Sequence, residues 1–173
     1  MRWLREVGLG DWVLEQHRRG ATVIGICGGF QMLGRTVCDP LGVESQASSA
    51  EGLGLLPVDT TMAAEKTTEV RSAITRGGVQ FGAYEIHLGI TAVEGGVEPF
   101  ARLDDGRFDG ACVDRVVGTY LHGALENAEV CAELFGVPVP YRLGLPSASG
   151  TNGWLTGSSS MDAGWSGSAS CEG

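Results

Sequence analysis

Basic residues are scarce in this chain: Lys and Arg total 12 against 21 Asp and Glu, a formal net charge of -9. Such a surface repels phosphate backbones and anionic headgroups, so neither nucleic acid nor a membrane surface is an expected partner. No apolar run approaches the ~20 residues of a membrane-spanning helix. Met1–Arg5 carries no apolar leader segment, so no secretory signal is expected. The five cysteines, at 27, 38, 112, 131 and 171, include no CxxC pair. That speaks against a metal site and a disulfide framework, and for a reducing cytoplasm. Phosphate loops are absent too: neither GxxxxGKS/T nor GxGxxG occurs. No cofactor is therefore expected in this chain.

What the chain has in quantity is glycine, 28 residues, which makes it rich in turns. Asp11 is placed to cap a helix that runs through Arg19 and stops at Gly20. Ala21–Ile26 is a short, continuous apolar run, as a buried parallel strand would be. A sharp turn at Cys27-Gly28-Gly29 follows, then a helix to about Arg35. From Leu53 the pattern changes to strands separated by glycines and charges, including LGLLPVDTTM, TTEVRSAI and VQFGAYEIHLGITAV. Asp104-Asp105-Gly106 signals a hairpin. Val113–His122 reads as one more strand, and Asn127 can cap a helix from Ala128 to Phe135 that stops at Gly136. Residues 142–173 are Gly/Ser-rich and show neither helical nor strand period, so disorder is expected there.

The strongest chemical signal is Gly25-Ile26-Cys27-Gly28-Gly29, directly after a buried strand. It has the form of the nucleophile elbow G-x-S-x-G with Cys in place of Ser. The nucleophile of an elbow sits on a strained turn packed against neighbouring backbone, which demands small flanking residues. The turn lifts the sulfur above the sheet edge, and the following helix directs its N-terminus at it. The N–H of Gly28 is then placed to donate to a developing oxyanion. The plain alternative is an inert cysteine on a core turn.

A thiol nucleophile needs a base, and three histidines are present. His122 closes the strand VVGTYLH, at the carboxyl edge where the catalytic groups of open α/β sheets gather. Its alternative is a surface histidine in a turn. Glu85 and His87 share one strand face and either line a substrate pocket or simply pair across the sheet. His17 lies in the charged helix and reads as a solvated side chain.

Together these residues resemble the class I glutamine amidotransferases, and within them the amidotransferase part of the cobyric acid synthases. The resemblance rests on GICGGFQMLGR (25–35), DPLGVES (39–45), EGLGLLPVDT (51–60), EKTTEV (65–70), AYEIHLG (83–89), PFARLDDGR (99–107), DGACVDRVVGTYLHG (109–123) and ENAEVCAELFG (126–136), in family order. It implies an α/β, flavodoxin-like open sheet with a nucleophile elbow: a central, largely parallel sheet with an antiparallel extension. It also implies that Cys27 attacks the side-chain amide of glutamine with His122 as base. Ammonia then passes to an ATP- and Mg-dependent synthetase domain that amidates a corrinoid, adenosylcobyrinic acid a,c-diamide.

Three departures from the family pattern stand out. Ala124 occupies the position where many class I amidotransferases carry a Glu, so the site is a dyad by sequence, and Glu85 is a candidate to orient His122. The family's preceding strand and its Pro-Gly-Ser turn are not in the sequence, so residues 1–141 read as an N-terminally incomplete domain. Residues 142–173 do not match the family's closing helix. Regrouping one permitted coding string for Ser149–Thr156 gives a charged, helix-favouring segment, so a frameshift product is one expectation for this tail. Two other identities remain open beside the family's own: an amidase acting on a peptidoglycan precursor, which shares the GICGG-type elbow, and an inactive gene fragment.

Overall fold

A computed structural model of the chain describes residues 1–44 and 48–136. The expected Gly/Ser tail, and the domain boundary at residue 141, lie outside the described residues. Two helices come first, α1 (Arg2–Glu6) and α2 (Leu9–Arg18). Gly8, at φ 74°, precedes α2 as its N-cap, and Asp11 sits in the first turn instead of capping it. There its carboxylate still meets the positive end of the helix dipole. Gly20, at φ 92°, turns the chain out of the helix into β1 (Val23–Ile26), and α3 (Gly28–Leu33) follows at once.

Nine further strands, one 3-10 turn and one α-helix complete the described chain: β2 (Thr36–Cys38), β3 (Ser49–Glu51), β4 (Val58–Thr75), β5 (Gln80–Val93), β6 (Ala101–Leu103), β7 (Phe108–Asp109), β8 (Ala111–Val113), β9 (Val116–Thr119), β10 (Leu121–His122), the 3-10 turn Ala124–Glu126 and α4 (Ala128–Phe135). One sheet has the order β1-β9-β8. The other runs β10-β5-β4-β2-β3, with β6 on β4 and β7 on β6.

The open α/β sheet expected from the elbow is present, but the expected predominance of parallel pairing is not. Among the described residues only β1–β9 and β2–β4 pair parallel. The rest are antiparallel. Parallel neighbours need a long crossover, whereas this chain turns back on itself through tight turns. Gly78 and Gly106, both at φ 88°, make two of them, and Asp114, at φ 49°, makes a third between β8 and β9.

Two segments differ from their sequence patterns, one by merging and one by splitting. The expected strands on either side of Glu65-Lys66 form one 18-residue strand, β4, and a register shift between Met62 and Thr67 absorbs the charged stretch as a bulge. Val113–His122 is instead three pieces. It breaks at the Asp114 hairpin, then leaves the first sheet after Thr119 and joins the second at Leu121. Two apolar cores result. One packs Phe81, Phe100, Leu103, Leu121 and Val130; the other packs Phe30, Leu33, Leu56, Val58 and Tyr120 directly beneath the elbow helix.

Candidate active site

Strand β1 is held parallel to β9 from Val23↔Val116 to Ile26↔Thr119. Its ladder extends one residue further, where the Cys27 N–H donates to the Thr119 carbonyl at 2.8 Å. Cys27 itself has φ 55° and ψ -115°. A residue with a Cβ adopts such a backbone only where the surroundings enforce it. The enforcing contact is visible at Gly25. A Cβ there would lie 2.6 Å from the Gly29 carbonyl carbon and oxygen, so the turn folds Gly29 back onto a residue that must have no side chain. Gly28 and Gly29 differ, because a Cβ on either would meet nothing within 4 Å. Gly28 instead borders a cleft of about 280 Å³ with Gln31, Met32 and Met62. Open space therefore adjoins Gly28 on the side where a Cβ would stand.

Half-buried Cys27 donates its Sγ–H to the Ile86 carbonyl at 3.2 Å. His122, in β10, pairs with Tyr84 of β5, two residues from Ile86. One stretch of β5 therefore meets both the nucleophile and the expected base. No described hydrogen bond links the two, since the thiol proton is on Ile86. The Nε2 of His122 is buried without a hydrogen-bond partner. Buried ring nitrogens are normally satisfied, so this one has hydrogen-bonding capacity that the fold leaves unused, as donor or acceptor according to the tautomer. His17 is less solvated than its charged helix suggested, because its Nδ1 is also buried without a partner.

Glu85 and His87 do share a face, and they bond to each other: the His87 Nε2–Glu85 Oε1 distance is 3.1 Å. The His87 Nδ1 lies 2.7 Å from the Gly89 carbonyl, and the ring stacks on Tyr120 with centroids 3.9 Å apart. Both residues line a cleft of about 810 Å³ with Arg107, Asp109 and Tyr120. Neither Cys27 nor His122 borders that cleft.

The expectation that Glu85 orients His122 is not met. Glu85 stands opposite Leu121, and His122 stands opposite Tyr84. Alternation along a strand sends the Glu85 and His122 side chains to opposite faces. Glu85 is committed instead to Arg71 at 3.1 Å, Arg107 at 3.2 Å and His87. Burial pushes its carboxyl up, but hydrogen bonds from His87, Arg107 and Arg71 outweigh it and hold the group below its usual range.

Sequence reasoning missed three residues that frame the elbow. The Tyr120 hydroxyl lies 3.2 Å from Gln31 Nε2 and 2.5 Å from Thr91 Oγ1, and its ring meets Phe30 edge-on. Gln31 follows Cys27 by one helical turn, and that i, i+4 spacing was a usable signal. Asp109 gave none, because its role depends on contacts with β9.

Burial pushes the Asp109 carboxyl up to about 6, despite hydrogen bonds from Thr119 and the Tyr120 N–H. An acid whose folded pKa lies above its unfolded value binds its proton more tightly when folded. It therefore adds stability as pH falls through the window between about 6 and the ordinary carboxyl value of 3.8, and withdraws it as pH rises. A shift of this size corresponds to roughly 3 kcal/mol. Glu85 contributes the opposite sign, stability lost on acidification, but it is common to wild type and an Asp109→Asn variant and cancels between them. Denaturant unfolding at pH 4 and pH 7 is expected to show the variant gaining on wild type by roughly 2–3 kcal/mol at the higher pH. An unchanged difference would mean that Asp109 is not destabilised by its burial.

The family model for CobB/CobQ-like glutamine amidotransferase domains matches residues 1–130. The chain is 47% identical over 131 residues to the cobyric acid synthases of two Bacteroides fragilis strains, NCTC 9343 and YCH46. It is 45% identical over 130 residues to that of Rhizorhabdus wittichii. Each alignment covers 73% of this chain and 26% of the relative, so the chain spans about a quarter of the length of these relatives. A crystal structure of a glutamine amidotransferase superposes with a TM-score of 0.56 at 23% identity, covering 79% of this chain and 72% of that one, which shows the fold. With the family model matching most of its length, the chain belongs to the CobB/CobQ-like glutamine amidotransferase domain family.

Proposed function

We propose that this chain is the glutamine-hydrolysing part of a cobyric acid synthase-type enzyme. The observation that carries the proposal is the left-handed backbone of Cys27 at the end of β1, beside the strand whose continuation holds His122. Cys27 Sγ attacks the side-chain carbonyl carbon of glutamine. His122 takes the thiol proton and delivers it to the departing nitrogen, so ammonia leaves and a glutamyl thioester remains. The N–H of Gly28, the residue that follows the nucleophile, donates to the oxyanion. Water, activated by the same histidine, releases glutamate and restores the thiol. The 47% and 45% identities to cobyric acid synthases support a corrinoid carboxylate as the final ammonia acceptor.

The acceptor step needs ATP and Mg, and the sequence holds neither a GxxxxGKS/T nor a GxGxxG phosphate loop. That step is assigned to a synthetase partner corresponding to the remainder of the longer relatives. The test uses glutamine labelled with ¹⁵N in the side-chain amide. The purified chain is expected to release labelled ammonia and glutamate but to amidate no corrinoid by itself. With the synthetase part of a cobyric acid synthase, ATP and Mg, the label is expected in adenosylcobyric acid. Transfer to a lipid-linked peptidoglycan precursor in place of the corrinoid would overturn the acceptor. Absence of glutamine hydrolysis would overturn the whole proposal.

A further inference from the structure

Asp109 is buried, makes no described hydrogen bond to Cys27 or His122, and has no part in the chemistry just described. Its carboxylate nevertheless holds the segment on which His122 depends. The Thr119 hydroxyl donates to Asp109 Oδ2, and the Tyr120 N–H donates to Oδ1 at 3.1 Å. The Thr119 hydroxyl oxygen in turn accepts the Leu121 N–H at 3.0 Å. Thr119, Tyr120 and Leu121 are the three residues over which the chain leaves β9 and enters β10. At such a crossing the backbone N–H groups lose one ladder before they gain the next. Asp109 and Thr119 supply the acceptors that the ladder does not. The Thr119 carbonyl at the same crossing accepts the Cys27 N–H. One carboxylate therefore fixes the crossing that is bonded to the nucleophile on one side and leads into the base on the other.

We infer that Asp109 is a positioning residue: it sets the Thr119–Leu121 crossing and thereby presents His122 to Cys27. The inference rests on the glutaminase reading above. Nothing in the sequence assigns this role. The carboxylate expected to orient the histidine, Glu85, lies on the opposite face, and Asp109 acts on the backbone of the histidine's own strand.

Misplacement of a catalytic group by about 1 Å costs on the order of 10²-fold in rate. Asp109→Ala is therefore expected to lower kcat for glutamine hydrolysis by on the order of 10²-fold, with KM within about threefold of wild type. A role exerted through His122 makes the two residues non-additive. In a His122→Ala background, Asp109→Ala is expected to lower kcat by less than about threefold. Thr119→Ser, which keeps the hydroxyl, is expected to retain activity, and Thr119→Val to lose it.

The experiment is that double-mutant cycle, run with Asp109→Asn as well, which keeps the side-chain shape should the alanine variant not fold. Rates of Cys27 alkylation by iodoacetamide are recorded on the same proteins. Coupled losses in kcat support the inference. Equal losses with and without His122, or wild-type kcat in both folded Asp109 variants, overturn it. If the wild-type chain alkylates at Cys27 yet hydrolyses no glutamine, the glutaminase reading fails and the alkylation cycle decides Asp109. A slowing that requires His122 supports positioning, and an equal slowing in both backgrounds overturns it.

Discussion

Cys27→Ser is expected to abolish glutamine hydrolysis while leaving the fold intact. The substitution is nearly isosteric, and the elbow backbone is enforced by Gly25 against Gly29, not by the sulfur. Serine at this position keeps the strained turn. What it loses is the sulfur, an intrinsically far better nucleophile than a hydroxyl oxygen. A serine hydroxyl needs a base oriented by a third group to become nucleophilic, and among the described residues the Nε2 of His122 has no partner. Loss of the nucleophile from a catalytic unit costs on the order of 10⁴–10⁶ in kcat, beyond the range of an ordinary glutaminase assay. A serine variant with turnover near wild type would remove Cys27 from the mechanism.

His122→Ala is expected to lower glutamine hydrolysis by on the order of 10²-fold or more, the usual contribution of a positioned general base. Two proton transfers depend on the same ring, from the thiol to the leaving nitrogen and from water to the thioester. The deletion therefore slows both halves of the reaction. His17→Ala is the matched comparison, since His17 also has a ring nitrogen buried without a partner but lies in α2. It is expected to change turnover little. Steady-state rates on the two variants check the assignment, and equal losses would show that His122 has no special place in the reaction.

The local parts of the fold were legible because local chemistry makes them. Asn127 caps α4 by accepting from the Glu129 and Val130 N–H groups, and Gly136 ends it at φ 64°. The hairpin at Asp104-Asp105-Gly106 joins β6 to β7 with Gly106 at positive φ. The elbow was legible for the same reason, as a buried apolar strand running into Gly-x-Cys-Gly-Gly. What stayed hidden depends on long-range register. Apolar alternation along Val113–His122 cannot report that the chain changes sheets at Tyr120. Strand period alone could not show that Glu85 and His122 point to opposite faces, which follows only from the pairing of β5 with β10. The Gln31–Tyr120 contact joins residues 89 apart, and no motif spans that distance.

The resemblance and the structure meet most closely at the elbow, and the other cysteines provide an internal comparison there. Burial pushes the Cys112 thiol up to about 11, which leaves it protonated and unreactive at neutral pH. A glutamine analogue carrying an electrophilic diazoketone in place of the side-chain amide reports the nucleophile and its substrate pocket together. Peptide mapping by mass spectrometry after brief exposure is the most direct measurement of the central claim. One adduct is expected, on Cys27, with labelling slowed by excess glutamine and lost in Cys27→Ser. Labelling spread over Cys112 or Cys131, or labelling of Cys27 that glutamine does not slow, would contradict a glutamine-specific nucleophile at this elbow.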